Sequence, residues 1–155
     1  MAYSGKYTPK NLGKYLGDAT KITYRSLWEL GVMKWCDENP SVKLWSSEEV
    51  VIPYVCKTDG KPHRYFVDFK ITFDSGKTIL VEIKPAVQVA KPKVEGKKVN
   101  KRLMESIATY AKNVSKWEAA TAYCQQRGWS FQIWDENSLA TLGIKTTRQP
   151  KKEFR

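Results

Sequence analysis

The sequence has few of the residues that build zinc sites and disulfide frameworks. It contains one histidine, His63, and three well-separated cysteines, Cys36, Cys56 and Cys124, with no Cys-x-x-Cys pair. An odd number of distant cysteines does not support a disulfide framework, and a single histidine does not support a zinc site. We therefore expect the cysteines to be small core residues of a protein in a reducing compartment, and His63 to be a surface or capping residue.

Long apolar runs are also missing from the sequence. No run approaches the roughly 20 residues that a membrane-spanning helix needs, and the N-terminus has no apolar segment of the kind found in signal peptides. The sequence therefore predicts a soluble protein without a membrane partner. Its 155 residues are enough for one domain with its own core.

Acidic residues are outnumbered by basic ones. The chain has 27 lysines and arginines against 16 aspartates and glutamates, which gives a formal net charge of +11 and a pI near 9.6. A surplus of this size favours an acidic partner, and nucleic acid is favoured over a membrane surface.

Two segments in the middle of the chain have the composition of paired strands. Residues 64–73 and 78–84 are rich in β-branched and aromatic side chains, and the residues between them, 74–76, are Asp-Ser-Gly. This pattern predicts an antiparallel hairpin with a tight turn.

The hairpin carries three charged residues close together. Glu82 and Lys84 lie on the same face of their strand, because side chains alternate, and Ile83 lies on the opposite face. Asp68 falls near Glu82 if the strands pair in register. Neighbouring like charges on a sheet are unfavourable, so a divalent cation with oxygen ligands, such as Mg²⁺, is one explanation. The alternative is an ordinary solvated face, since Glu-x-Lys is common.

A third acid lies upstream, beside the apolar stripe of a helix predicted over residues 23–37. This acid, Glu29, also completes the pattern Ser26-x-x-Glu29, which fits a capping box. A structural and a functional role are both open for Glu29 at this point.

The remaining elements complete one domain. We expect a basic, mostly irregular arm at 1–21, a single domain at 22–144 and a basic tail at 145–155. Within the domain the patterns predict short strands at 42–45 and 50–55, an amphipathic helix from 103 to 127, a strand at 129–134 and a helical turn at 137–142.

A basic segment follows the hairpin and leads into the long helix. Its position beside the charged cluster favours contact with a nucleic-acid backbone over a solvated linker. The residues expected to bind nucleic acid are Lys91, Lys93, Lys97, Lys98, Lys101 and Arg102.

The order helix, strands, helix, strand resembles the PD-(D/E)XK nuclease superfamily. That resemblance implies an α+β fold with an αβββαβ core, in which helices flank a central mixed sheet. Glu29 matches the acid of the first helix, Asp68 the acid of the second motif, and Glu82 and Lys84 the Glu-x-Lys motif. Val67 stands where the superfamily name has proline.

Two narrower resemblances are visible. Tyr24-Arg-Ser-x-x-Glu29, Tyr65-x-x-Asp68 and Val81-Glu-Ile-Lys84-Pro85 are similar to the TnsA-like endonuclease domain. Nearly the whole chain resembles the head-completion nucleases of T4-like bacteriophages. These resemblances imply a metal-dependent DNA nuclease that acts in head completion after packaging, in the cytoplasm of the infected bacterium or associated with the virion. The implied partners are DNA and phage head, portal or neck proteins.

The same resemblances imply how the site would be used. Mg²⁺, or Mn²⁺ in its place, would be bound by Asp68, Glu82, the Ile83 carbonyl and Glu29, and Lys84 would orient the attacking water. Two alternatives remain open: a catalytically silent DNA-binding structural protein of the phage head or neck, and a nuclease acting on RNA or on branched junctions.

Overall fold

The computed structural model of the protein describes residues 4–146. Most of the predicted basic tail, residues 147–155, lies outside this range, as do the first three residues of the arm. No helix within residues 4–146 is both long enough and apolar enough to span a membrane.

The described residues form four α-helices, two 3₁₀ turns and eight strands. The helices are α1 (Leu27–Glu38), α2 (Ala86–Val89), α3 (Lys101–Arg127) and α4 (Glu136–Thr141), with 3₁₀ turns at Leu12–Lys14 and Ala19–Lys21. The strands are β1 (Gly5–Lys6), β2 (Thr23–Tyr24), β3 (Val42–Ser47), β4 (Val51–Val55), β5 (Pro62–Phe66), β6 (Phe69–Phe73), β7 (Thr78–Ile83) and β8 (Ser130–Trp134).

The central sheet has the strand order β3-β6-β7-β8. The first three strands are antiparallel, and β8 runs parallel to β7 after the α3 crossover. The elements α1, β3, β6, β7, α3 and β8 therefore follow the predicted αβββαβ order, and the mixed α+β fold is confirmed. The pairs β1-β2 and β4-β5 form separate two-stranded sheets.

Each face of the central sheet packs against one long helix. On one face, Ile79 and Val81 of β7 share a core with Met33 of α1. On the other face, Leu80 shares a core with Ala120 of α3. Because β7 is covered on both sides, it holds its residues more rigidly than an edge strand would.

The cysteines are buried, as the composition predicts. Cys36, Cys56 and Cys124 are all free thiols within the protein interior. Cys36 belongs to the core beneath α1, and the other two belong to the core beneath α3.

Two boundaries differ from the sequence prediction. Residues 64–73 form two strands and not one, because the chain leaves the β4-β5 pair at Val67 and enters the central sheet at Phe69. The first helix begins at Leu27 and not at Thr23. Ser26 is extended and caps that helix, and the residues before it pair with β1.

The described part of the N-terminal arm packs against the domain. Tyr15 is 8% exposed and meets Trp45 edge-on, with ring centroids 4.8 Å apart. Its neighbour Leu16 donates a backbone hydrogen bond to the Trp45 carbonyl at 2.8 Å. The described arm has one two-residue strand and two 3₁₀ turns, and it contributes Tyr15 to the core.

Asp37, near the end of α1, binds this arm through hydrogen bonds. Its carboxylate accepts hydrogen bonds from the Tyr7 hydroxyl (2.5 Å), the Lys10 amide (2.7 Å) and the Asn11 amide (3.0 Å). Burial acts to raise the pKa of Asp37, but these hydrogen bonds outweigh it and hold the pKa below its usual range.

Asp37→Ala should lower the free energy of unfolding by about 3 kcal/mol, because three donors lose a charged acceptor. Since the pKa of Asp37 is lowered in the folded state, this contribution is present above roughly pH 4 and is lost as the pH falls further. The matched control is Glu38→Ala, which removes an exposed ion pair with Lys10 (3.3 Å) and should cost less than about 1 kcal/mol. Urea unfolding measures both variants, and equal losses would contradict the role of Asp37.

Candidate active site

The pairing of β6 with β7 brings two carboxylates together at the end of the strands. Phe69 pairs with Val81, which places Asp68 beside Glu82. The Asp68 carboxylate accepts a hydrogen bond from the Ile83 amide at 2.7 Å. This bond fixes Asp68 at the point where the chain enters the central sheet.

Glu82 is held from two sides. One carboxylate oxygen accepts a hydrogen bond from the Tyr65 hydroxyl at 2.5 Å, and the other lies 3.7 Å from the Lys84 ammonium. Glu82 is only 8% exposed. Burial, and then the neighbouring Glu82 charge, raise the pKa of Tyr65 well above its usual range, so its hydroxyl stays protonated and donates.

Glu29 reaches the same site from the first turn of α1. Its amide donates to the Ser26 hydroxyl at 3.1 Å, as in a capping box. Its carboxylate accepts from the Arg25 amide at 3.1 Å, one residue before the position that a capping box uses. Burial raises the pKa of Glu29, with contributions from the charges of Glu48 and Glu82. Glu29 therefore stabilises the helix start and also lies within the electrostatic reach of the strand carboxylates.

The electrostatics of the site are dominated by crowded negative charge. The pKa of Asp68 is raised well above its usual range, first by burial and then by the charge of Glu82. Glu29 and Glu48 raise it further, and the hydrogen bond from Ile83 only partly opposes them. A cation at this point would relieve the repulsion.

The chemistry of the donors fits a hard divalent cation. One oxygen of Asp68 and one of Glu82 accept no hydrogen bond from residues 4–146. The Ile83 carbonyl points to the same side as the Ile83 amide, toward Asp68, because both groups of a strand residue face one neighbour. Carboxylate and carbonyl oxygens are the ligands that Mg²⁺ and Mn²⁺ prefer.

A groove leads away from Lys84 between α2, the following loop and the first half of α3. Its volume is about 640 Å³. Four of the predicted nucleic-acid contacts line it together with Lys84, namely Lys91, Lys93, Lys97 and Arg102. The other two are also exposed nearby: Lys98 lines an adjoining hollow, and Lys101 lies 4.0 Å from Glu105 in an exposed pair.

Comparison with known proteins identifies the family. The TnsA-like endonuclease N-terminal domain matches residues 39–136, a range that includes Asp68, Glu82 and Lys84. The chain belongs to this family of endonucleases. It is also 45% identical over 148 residues to the head completion nuclease of Enterobacteria phage T4, and the match covers 94% of this chain and 99% of that protein.

The structure of this TnsA-like protein adds a fourth acid that the sequence analysis missed. Glu48 follows β3 directly, its amide donates to the Asp68 carbonyl at 3.2 Å, and its side chain forms an ion pair with Arg25. Glu48 adopts φ 56°, the one positive φ of a non-glycine residue within 4–146. Strained backbone of this kind is concentrated at functional sites. The signal in the sequence was weak, an acid in the short connection between the strands predicted at 42–45 and 50–55.

Two further residues lie at the candidate site on elements other than β6 and β7. Tyr65 lies on β5, and Lys116 of α3 places its ammonium 5.5 Å from the centre of the Tyr65 ring. Burial lowers the pKa of Lys116, although the charge of Glu82 acts in the opposite direction. No local pattern distinguishes Lys116 from the other lysines of its helix.

Asp68→Asn should stabilise the metal-free protein, because it removes a buried charge among like charges and keeps the acceptor for Ile83. We expect a gain of about 1 kcal/mol near pH 8 in EDTA. The pKa of Asp68 is raised on folding, so the cost of its charge disappears as the pH falls toward about 4, and the gain should shrink with it.

Chemical unfolding across a pH series measures this gain. The control Asp74→Asn changes an exposed carboxylate in the β6-β7 turn and should have little effect at any pH. A destabilised Asp68→Asn protein at high pH would contradict the crowding described here.

Proposed function

We propose that this TnsA-like protein is a Mg²⁺-dependent endodeoxyribonuclease that hydrolyses phosphodiester bonds during phage head completion. The observation that carries the proposal is the placement of Asp68, Glu82 and Lys84 at the end of one buried strand pair, with Glu29 beside them. The relative from phage T4 is named a head completion nuclease, and the match spans almost both chains.

In this proposal Asp68, Glu82 and the Ile83 carbonyl would hold the ion, and Glu29 would complete the set. Mg²⁺ bound there would supply an activated water and stabilise the charge that develops on the phosphate. Tyr65 occupies one Glu82 oxygen, and the other lies beside Lys84 and would be available to the ion. Second-layer contacts of this type commonly fix the orientation of metal ligands.

Lys84 acts on the reacting groups directly. Its ammonium lies 3.7 Å from a Glu82 oxygen and is partly exposed, so it can reach a bound phosphate. In the proposed mechanism it orients the attacking water and offsets negative charge on the phosphate. Arg25 is a further cation at the site, and its pairing with Glu48 keeps a positive charge next to the acids.

The basic groove supplies affinity for the substrate. Its lysines and Arg102 are exposed and continue directly from Lys84, so a nucleic-acid backbone lying along them would pass over the carboxylates. Backbone contacts position a nucleic acid without reading its sequence. We propose DNA as the substrate, acted on in the infected cell or in the virion, with head, portal or neck proteins as partners.

The test of the function is cleavage of linear, circular and single-stranded DNA with Mg²⁺ or with EDTA. Glu82→Gln and Asp68→Asn should each lower the rate by about 10²- to 10³-fold, because charge stabilisation at the phosphate is lost. Cleavage in EDTA would contradict the metal mechanism. Tight DNA binding without any cleavage would favour the silent structural protein, and cleavage of RNA alone would assign a different substrate.

A matched pair separates the two roles of Glu29. In Glu29→Gln the amide oxygen can still accept from Arg25, so stability should change by about 1 kcal/mol or less, while cleavage should fall far more. The control is Glu38→Gln, which changes an exposed acid of the same helix. An unchanged rate in Glu29→Gln would leave this residue with a structural role only.

DNA affinity should depend strongly on salt and weakly on sequence. If about six basic residues each neutralise one phosphate, binding should weaken roughly 10³-fold between about 50 and 200 mM salt. Replacing Lys97 and Lys98 by alanine should reduce the salt slope by about 2 for every duplex.

The inactive Glu82→Gln protein allows this binding to be measured without cleavage. Lys77→Ala is the control, because Lys77 is exposed in the β6-β7 turn, at the opposite end of the hairpin from Asp68. A salt-independent affinity, or a strong preference for one of several unrelated duplexes, would show that the groove does not bind the DNA backbone electrostatically.

A further inference from the structure

The hairpin loop between β4 and β5 carries a second cluster of potential metal ligands. Cys56, Asp59 and His63 each present one ligand atom, and these three atoms all lie within 4.8 Å of one another. Their spacing is Cys-x₂-Asp-x₃-His: Cys56 and Asp59 lie in the loop, and His63 is the second residue of β5.

The loop is shaped by hydrogen bonds that need no metal. The Gly60 amide donates to the Cys56 carbonyl at 2.8 Å, and the Cys56 amide donates to the Lys61 carbonyl at 3.0 Å. Gly60 has φ +66°, a conformation that glycine adopts without strain. The Lys61 amide donates to one Asp59 oxygen at 2.9 Å, which turns the other oxygen toward His63. The cluster is therefore preorganised.

The cluster is shielded from solvent at Cys56 and exposed to solvent at Asp59 and His63. Cys56 is 1% exposed, and its sulfur lies 2.9 Å from the Thr58 hydroxyl. The side chains of Asp59 and His63 are 39% and 37% exposed, which leaves an entry path for an ion. The His63 ring stacks on Tyr54 with centroids 5.6 Å apart, and this contact limits its rotation.

The donor types select among metals. A thiolate and an imidazole are poor ligands for Mg²⁺ and Ca²⁺, but with a carboxylate they form a common set for Zn²⁺. In a tetrahedral zinc site the donor atoms are about 3.5 Å apart, from bond lengths of about 2.0–2.3 Å. The Asp59 oxygen and His63 Nε2 are now 2.8 Å apart, so small movements would suffice.

We propose that Cys56, Asp59 and His63 bind one Zn²⁺ ion, with water as the fourth ligand. On binding, the Cys56 thiol releases its proton to solvent and a sulfur–zinc bond forms, with no change of oxidation state. The two negative ligands balance the charge of the ion. This site shares no residue with the proposed Mg²⁺ site and does not depend on nuclease activity.

The zinc site would stabilise the strand that serves the active site. His63 and Tyr65 are two residues apart on β5, so they lie on the same face of that strand. Tyr65 is the residue that holds Glu82. An ion that closes the loop would thus reinforce the strand that carries this contact.

The experiment uses the full chain, freed of metal with a chelator and then titrated with Co²⁺ as a spectroscopic substitute for Zn²⁺. We expect one equivalent of Co²⁺ to give a thiolate-to-cobalt charge-transfer band in the near ultraviolet, and Zn²⁺ to remove it. Zn²⁺ should also raise the melting temperature of the unmodified protein.

Cys56→Ser should abolish the band, and His63→Asn should weaken metal binding by at least about 100-fold. Because His63 is partly exposed, His63→Asn tests the proposal even if Cys56→Ser fails to fold. The control variants Cys124→Ala and Glu82→Gln should keep the band. Absence of the band in the unmodified folded protein, its persistence in Cys56→Ser, or unchanged affinity in His63→Asn would each overturn the site and leave Asp59 and His63 as a simple ion pair.

Discussion

The structure depends on holding two carboxylates side by side in a mostly buried position. Burial and the neighbouring charge of Glu82 both oppose the charged form of Asp68. The strand pairing nevertheless keeps Asp68 and Glu82 together, because the Phe69–Val81 register and the hydrogen bond from the Ile83 amide fix the position of Asp68. Rigid packing on both faces of β7 stabilises an arrangement that its charges disfavour.

The chain surrounds this pair with a few directed contacts. The hydroxyl of Tyr65 and the ammonium of Lys84 engage Glu82, while Arg25 engages Glu48. The chain changes from one sheet to another at residue 67, so that β5 supplies Tyr65 and Asp68 lies directly before β6. A site of this kind is costly for stability and useful for binding a cation.

The charge of the molecule is divided between this acidic site and a basic groove. The net charge of the chain is +11, and the basic residues that line the groove beginning at Lys84 contribute part of it. A basic groove attracts a polyanion over a long range, whereas crowded carboxylates attract a cation. The two signs of charge therefore serve two steps of one proposed reaction, substrate binding and hydrolysis.

The sequence by itself determined the elements that depend on local patterns. Alternation put Glu82 and Lys84 on one strand face, and helical periodicity predicted α3, because these features arise from residues close in the chain. The αβββαβ core was implied by the resemblance of the element order and motifs to the PD-(D/E)XK superfamily. Only the tertiary structure decided that Glu48, Tyr65 and Lys116 surround the acids. Their neighbours come from distant segments, and contacts across a fold leave no period in a single sequence.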